Sequence, residues 1–291
     1  MDSQKIYDQV STHYSAALQK TTPEYGGAIA KSFGYSEEEL ASAAEGSNLG
    51  LSCGNPLAIA GLREGETVID LGSGAGFDAF LAADRVGPSG RVIGVDMNKD
   101  MLAKANKIKT TTEKANVEFV KSGITDMPGL ESEIADCIIS NCVINLVPAA
   151  EKHLVFKEMF RLLKPSGRLA ISDILAKKQM PEKLKSDMAM YVGCISGASM
   201  VSEYENFLQE AGFTEILITK TQSDLNVYFQ INEDGLKKTE GCIATNSDKE
   251  GRGKCCKPSS EVCSEFQTSS CCGATNFNEW AGSFKVFAVK N

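Results

Sequence analysis

The chain has 291 residues, 42% of them hydrophobic, which suffices for one large α/β domain with an extension. A net charge of −8 argues against nucleic acid and against an anionic membrane surface, since both require a basic face. No apolar run reaches the ~18 residues of a membrane span, and the opening MDSQKIYDQV lacks the apolar core of a secretion signal. The expected location is cytoplasmic, with the ten cysteines as free thiols, metal ligands or redox pairs. Histidine is limited to His13 and His153, so a histidine base has few candidates.

KIYDQVSTHYSAALQ sets Ile6, Val10, Tyr14 and Ala17 at helical spacing. A Gly/Ser/Asn-rich loop, EGSNLGLSCGNP, ends at Pro56, and LAIAGL reads as a short helix. Strands and helices then alternate. Strands are predicted at 67–71, 91–95, 117–120, 135–140 and 168–173, and helices at 78–86, 99–112 and 151–163. Such alternation gives right-handed βαβ units and a parallel sheet covered on both faces. KPSG (164–167) is predicted as the turn into the fifth strand. Helices follow at 181–191 and 203–211, with Gly212 as a stop, then a sixth strand at 214–219. A polar stretch from Gly235 to Glu279 holds six cysteines and lacks the apolar residues for a core. FKVFAVK (284–290) closes the sequence as a strand, predicted to pair with the sixth as an edge hairpin around the cysteine-rich insert. The predicted fold is α/β, a mostly parallel seven-stranded sheet with an antiparallel C-terminal edge strand. Its units are an N-terminal cap (1–60), a nucleotide-binding core (61–220), an extension with the insert (221–283) and the final strand (284–291).

VIDLGSGAGFD (68–78) closes the first strand and opens a helix. Gly72, Gly74 and Gly76, around Ser73, allow a sharp turn and close approach of a ligand to the backbone. Asp96, at the end of the second strand, suits two ribose hydroxyls. The GxGxG spacing and the carboxylate of Asp70 disfavour a dinucleotide pyrophosphate. They suit a cofactor with a cationic amino-acid end, such as S-adenosylmethionine. The combination resembles class I S-adenosylmethionine-dependent methyltransferases, which have a Rossmann-like fold. The resemblance implies Asp70 near the amino-acid end, Asp96 on the ribose, Met97 and Ile124 beside the adenine, and Asn141 facing the cofactor. It also implies that Gly167 serves the turn into strand five.

In such sheets ligands sit at the carboxyl ends of the strands. SNCVINLVP (140–148) puts Cys142 at the end of strand four, with Val143, Ile144 and Leu146 expected to pack the following helix. Cys137, inside that strand, reads as a small buried hydrophobe. No carboxylate or histidine is evident as a base for an oxygen or nitrogen nucleophile. A thiol can hold a soft atom that carries its own lone pair, and trivalent arsenic is such an atom. Cys53, in GLSCGNP, and Cys194, in YVGCISGASM, are expected at the same rim.

NLGLSCGNPLAIA, ETVIDLGSGAGFD, VIGVDM, IISNCVINLVP, RLAISDIL and YVGCISGA resemble arsenite S-adenosylmethionine methyltransferases, in order and spacing, over roughly residues 45–220. The resemblance implies that Cys53, Cys142 and Cys194 bind arsenic(III) or supply reducing equivalents, and that Tyr14 lies near the cofactor. It implies arsenite or methylarsenite arriving as a thiol adduct, and thioredoxin or glutathione reopening a product disulfide. Arsenic detoxification is the implied role. Cys255, Cys256, Cys271 and Cys272, with Cys242 and Cys263, lack the paired spacing of common zinc modules. They read as metalloid capture or as solvated thiols without a specific role. Two alternatives stand beside arsenite methylation. One is a methyltransferase of another small molecule, such as a quinone or sterol. The other is a non-catalytic protein that sequesters metalloid through thiols.

Overall fold

The computed structural model describes residues 3–180, 195–236 and 276–291. The predicted helix 181–191, Cys194 and the six insert cysteines lie outside the described residues. In chain order the elements are α1 (Ser3–Lys20), α2 (Pro23–Ser32), α3 (Glu37–Ser42), α4 (Leu57–Ala60), β1 (Thr67–Leu71), α5 (Phe77–Val86), β2 (Arg91–Asp96), α6 (Lys99–Thr112), β3 (Val117–Lys121) and β4 (Ala135–Asn141). They continue with α7 (Lys152–Leu162), β5 (Leu163–Ala176), α8 (Val201–Ala211), β6 (Thr214–Lys220), α9 (Val227–Gln230) and β7 (Ala281–Val289). Among the described residues no helix is long and apolar enough to cross a membrane.

The seven strands form one sheet in the order β3-β2-β1-β4-β5-β7-β6. The pairs among β1 to β5 are parallel, and β7 runs antiparallel to both its neighbours. Alternation along β1 divides the core: Ile69 and Leu71 pack with α7 and α8 through Phe156, Met159, Tyr204 and Leu208. Val68 faces the other way, with Phe80, Ala83 and Ile108 of α5 and α6. A third cluster lies above the sheet, where Ile6 and Val10 of α1 and Ile29 of α2 meet Cys53, Cys142, Leu146 and Ile195.

Two predictions about the sheet change. The antiparallel terminal strand is present and pairs with β6, but it lies between β5 and β6, so β6 is the edge. The residues explain this. Ala281, Phe284, Val286 and Ala288 of β7 are buried, whereas β6 leaves Leu217 60% exposed. A strand that is apolar on both faces belongs inside a sheet. The KPSG stretch is also not a free turn. It is the irregular start of β5, where Ser166 has φ +63°, its N–H donates to the Lys290 carbonyl at 2.7 Å, and Lys290 N–H donates back to Gly167 at 2.8 Å. The Lys290 ammonium, 7% exposed, caps the Leu163 carbonyl at 2.7 Å, so the last strand fastens the entry of β5.

Candidate active site

The chain reverses direction across the sheet between β1 and β4, and a cavity of about 570 Å³ opens at the strand ends there. Its walls include Asp70, Gly72, Ser73, Gly74, Asp96, Met97, Ile124, Asn141, Cys142 and Tyr14. The sequence reading named each of these. Gly76, the remaining glycine of the motif, does not line the cavity; it caps α5 at φ +92°, where a Cβ would sit 2.7 Å from Phe80. Gly72 has φ +70°, and a Cβ there would lie 2.3 Å from Val143. Only glycine lets the turn pass this close to the β4 exit.

Helix α1 closes the cavity from above. Asn98 caps α6 by accepting from Asp100 N–H at 2.8 Å and Met101 N–H at 3.1 Å. Its Nδ2 donates to the Ser11 carbonyl of α1 at 2.9 Å. Tyr7 O–H donates to Glu151 at 2.7 Å at the other side. These contacts explain how Tyr14, distant in sequence, comes to line a pocket built by the sheet.

Three carboxylates surround the cavity floor. Asp96 accepts from Gly74 N–H at 2.8 Å and Asn98 N–H at 2.8 Å, and burial raises its carboxyl against those donors. Asp70 is pushed well up by burial and by the charges of Asp78 and Asp96. Asp78, which the sequence reading passed over, is raised to about 6 by burial, despite donors from Tyr35 at 2.6 Å and Asn141 at 2.9 Å. A cationic ligand removes the cost of charging these groups.

Cys142 follows β4 at φ +60°, and its N–H donates to Ser172 of β5 at 2.9 Å. Cys53 comes from the loop before α4. Its N–H donates to Asn141 Oδ1 at 3.1 Å, and its carbonyl accepts from Ser283 Oγ at 2.6 Å. Gly54 permits the approach, because a Cβ there would be 2.6 Å from the Ser172 Cβ. The loop is further held by Tyr228, whose O–H donates to the Ser52 carbonyl at 2.6 Å. Both thiols are buried rather than exposed on a rim. Their Sγ atoms and one carboxylate oxygen of Asp173 all lie within 4.8 Å of one another. Ile195, next in sequence to Cys194, is buried in the same cluster.

Asp173, which was not singled out in the sequence, stands beside the thiols. It is fully buried, and burial raises its carboxyl to about 6 against the donor Tyr204 and the charge of Lys152. Tyr204 O–H donates to it at 2.6 Å, Asn145 Nδ2 at 2.8 Å and Ile174 N–H at 2.9 Å. Lys152, 3% exposed, lies behind Asn145 and donates to Ser199 Oγ at 3.0 Å and to the Gly197 carbonyl. The available signal was one acid in the apolar strand RLAISDIL, since a buried charge demands partners.

Two local expectations change as well. Asn141 does line the cavity, but its amide is engaged by protein: Nδ2 faces Tyr35, Gly54 and Asp78, each at 2.9 Å. Ile144 packs with Val155 and Phe156 as expected, whereas Leu146 turns to α1 and the thiol cluster. Cys137 is the structural cysteine foreseen: burial pushes its thiol to about 12, among Val68 and Ile139. Cys137→Ala is expected to cost about 1 kcal/mol in a urea unfolding titration. It should leave methyl transfer unchanged.

The reversed strand order, the glycine turn and the acid ending β2 define the class as a Rossmann-like methyltransferase. The chain belongs to the methyltransferase domain family, which matches residues 62–212. An arsenite methyltransferase of Halobacterium salinarum is 47% identical over 185 residues, 64% of this chain and 46% of the relative. Another from Aquipseudomonas alcaligenes is 40% identical over 176 residues, 58% of this chain and 50% of the relative. The chain thus spans about half the length of these curated relatives. An arsenic (III) S-adenosylmethionine methyltransferase from Chlamydomonas reinhardtii shares the fold, with a TM-score of 0.56 and 24% identity over 90% of this chain and 73% of that one. The Haemonchus contortus phosphoethanolamine N-methyltransferase 2, solved with S-adenosyl-L-methionine, aligns with a TM-score of 0.58 and 17% identity over 95% of this chain and 60% of that one.

The cavity fits S-adenosylmethionine. Its floor is acidic where a cationic amino-acid end needs charge, and Asp96 stands at the β2 end where ribose hydroxyls need an acceptor. Ser73 Oγ is buried at the glycine turn without a hydrogen-bond partner, which marks a position for a polar ligand atom.

Proposed function

We propose that this chain transfers a methyl group from S-adenosylmethionine to thiol-bound trivalent arsenic, as an arsenic-detoxifying enzyme of the cytoplasm. The observation that carries the reading is the buried Cys53–Cys142 pair, with Cys142 also in the wall of the cofactor cavity. S-adenosylmethionine supplies an electrophilic methyl group on a sulfonium. Asp70 and Asp78 would hold its ammonium, Asp96 its ribose, and Met97 and Ile124 its adenine. The thiolates of Cys142 and Cys53, with Cys194 as a further candidate, would hold arsenic with its lone pair toward the cavity. A lone pair needs no base, and fixed positions replace the entropy of a bimolecular encounter. The carboxylates around the cavity are held by backbone and side-chain donors and so are preorganised for a cation. Thioredoxin or glutathione would reduce back to thiols any disulfide formed as two cysteines reduce the product. Residues 1–60 would act as a cap and 61–220 as the catalytic core.

The test is transfer of labelled methyl from S-adenosylmethionine to arsenite in excess thiol, with arsenic species separated by chromatography. Labelled methylarsenic is the expected result. Arsenite binding without any methylated arsenic would favour thiol sequestration instead. A quinone methyltransferase is disfavoured by the thiol pair, for which an oxygen or carbon nucleophile has no use.

Cofactor affinity should rise with pH. Burial raises the Asp78 carboxyl to about 6. Below that it is neutral and offers no charge to an ammonium. Above it is ionised. Calorimetry is expected to show about tenfold tighter S-adenosylmethionine binding at about pH 7 than at about pH 5, and Asp78→Asn should remove the part of the rise centred at about 6 while the raised Asp70 carboxyl keeps its own. Folding has the opposite sign. The native carboxyl binds protons more tightly than its unfolded counterpart, so its contribution to stability falls as pH rises from ~4 through ~6.

A further inference from the structure

We propose that Lys152 is a positioning residue of the arsenic site: its buried ammonium fixes the turn 195–199 and so holds the chain at Cys194 against the Cys53–Cys142 pair. The inference rests on the thiol-bound arsenic reading above, with Cys194 as the third thiol. Lys152 is the first residue of α7 and is 3% exposed. A cation at a helix N-terminus faces the positive end of the helix dipole, and burial adds the cost of desolvating its charge. The helix gains nothing from it there, so its partners account for its place. Its Nζ donates to the Gly197 carbonyl, to Ser199 Oγ at 3.0 Å and to Asn145 Oδ1 at 3.4 Å. Asn145 passes the interaction on, because its Nδ2 donates to Asp173 at 2.8 Å, and the charge of Lys152 favours the ionised Asp173 carboxylate. One ammonium thus joins α7, the part of β5 beside the thiols and the residues that follow Cys194.

The turn itself leads to the thiols. Ile195 is buried in the same apolar cluster as Cys53 and Cys142. Ala198 N–H donates to the Ile195 carbonyl at 3.1 Å, which closes the turn, and the Ser199 carbonyl accepts from Ala176 N–H at 2.9 Å, which seats it on the end of β5. Ser199 N–H also donates to Asn145 Oδ1 at 3.4 Å. Cys194 is one peptide bond before Ile195, and adjacent Cα atoms are about 3.8 Å apart. Fixing 195–199 therefore limits where the Cys194 backbone goes. Neither Lys152 nor Asn145, Ile195 or Ser199 lines the cofactor cavity, so the clasp belongs to the thiol side alone. Arsenite is captured by exchange. Each thiol forms one arsenic–sulfur bond as one arsenic–oxygen bond breaks, and its proton leaves with the hydroxyl as water. Cys53 and Cys142 are held without Lys152, through the main-chain bonds to Asn141 and Ser172. The third exchange is the one that depends on the clasp, since it needs a third thiol already in place.

The test uses the full chain with Cys242, Cys255, Cys256, Cys263, Cys271 and Cys272 replaced by serine, which leaves Cys53, Cys142 and Cys194 beside the inert Cys137. A phosphine is the only reductant, so every sulfur on arsenic comes from the protein. X-ray absorption at the arsenic edge counts the sulfurs on bound arsenite, and equilibrium dialysis gives its affinity. Three sulfurs are expected in this chain, and two sulfurs with one oxygen after Lys152→Met. Lys152→Met should weaken arsenite about tenfold, yet change it less than about twofold once Cys194→Ser is present. A merely structural role would weaken both backgrounds alike. Three sulfurs retained in Lys152→Met, equal loss in both backgrounds, or two sulfurs already before Lys152 is changed overturns the proposal and leaves thiol capture standing. An absence of any arsenic–sulfur shell before Lys152 is changed overturns the thiol reading itself, and this inference with it. Should Lys152→Met fail to fold, Ser199→Ala decides, since it removes the acceptor at 3.0 Å. Arsenite about threefold weaker with Cys194 and unchanged with Cys194→Ser is then expected, and an equal effect in the two backgrounds overturns the proposal.

Discussion

Cys142→Ser is expected to lower arsenic methylation by at least about a thousandfold while S-adenosylmethionine affinity stays within about twofold. The substitution replaces a soft donor with a hard one at a single atom. A serine hydroxyl is not ionised near neutral pH and has little affinity for a soft metalloid in competition with water. The backbone should not respond. Cys142 sits at φ +60°, which serine tolerates no worse than cysteine, and its N–H bond to Ser172 is main-chain. The cavity wall keeps its shape because only the sulfur changes. Cys142→Gly provides a second form of the test, since it relieves the left-handed backbone and also removes the ligand. Both variants should lose turnover together. The measurements are labelled methyl recovered on arsenic and calorimetric binding of S-adenosylmethionine. Normal turnover in either variant would sink the mechanism, and a parallel collapse of cofactor affinity would reassign Cys142 to the cavity wall.

The contrast with Cys137 shows what sequence position can and cannot say. Two cysteines five residues apart differ in that Cys137 lies inside β4 and Cys142 just past its end. That was enough to separate them, because ligands gather at strand ends in open α/β sheets. Local signals also served well for helix α6, where Asn98 caps the start and Glu113 ends it in the left-handed region. The glycine turn and Asp96 were readable for the same reason, since their roles depend on near neighbours in the chain. Strand order was not. Nothing in the period of FKVFAVK tells which two strands it joins, although its apolar residues on both faces favour an interior place.

Asp173 was hidden for a related reason. Its donors Asn145 and Tyr204 lie 28 and 31 residues away, and the fold alone brings them to one carboxylate. In the sequence it is one acid in an apolar strand, and its neighbours gave no sign of how the charge is compensated. Asn141 lines the cavity as expected, and it also has a second role that the sequence did not show. A polar residue beside a cofactor site reads as a ligand contact, whereas its hydrogen bonds bind protein to protein.

That bridging role gives the second large effect. Asn141→Leu is nearly isosteric but removes every polar contact of the side chain. Oδ1 receives the Cys53 N–H, while Nδ2 faces three acceptors, Tyr35, Gly54 and Asp78. Leucine strands a backbone donor and a backbone acceptor of the Cys53 loop in a buried setting, and takes a donor from an ionisable carboxyl. Each orphaned group costs roughly 1–3 kcal/mol, so a loss of about 3 kcal/mol in unfolding free energy is expected, short of global unfolding. Two ligands should report it together. Arsenite capture falls because Cys53 is no longer held against Ser172, and S-adenosylmethionine binding falls because Asp78 becomes harder to ionise; about tenfold is expected for each. Tyr35→Phe separates the two branches. It removes the 2.6 Å donor to Asp78 but none of the Cys53 contacts, so it should weaken the cofactor and spare arsenite. The two substitutions share Asp78, so their effects on cofactor affinity should be non-additive, by about 1 kcal/mol in a double-mutant cycle. Intact arsenite capture in Asn141→Leu would show that the Cys53 loop holds itself, through Tyr228 and Ser283, and that Asn141 serves the cofactor side alone.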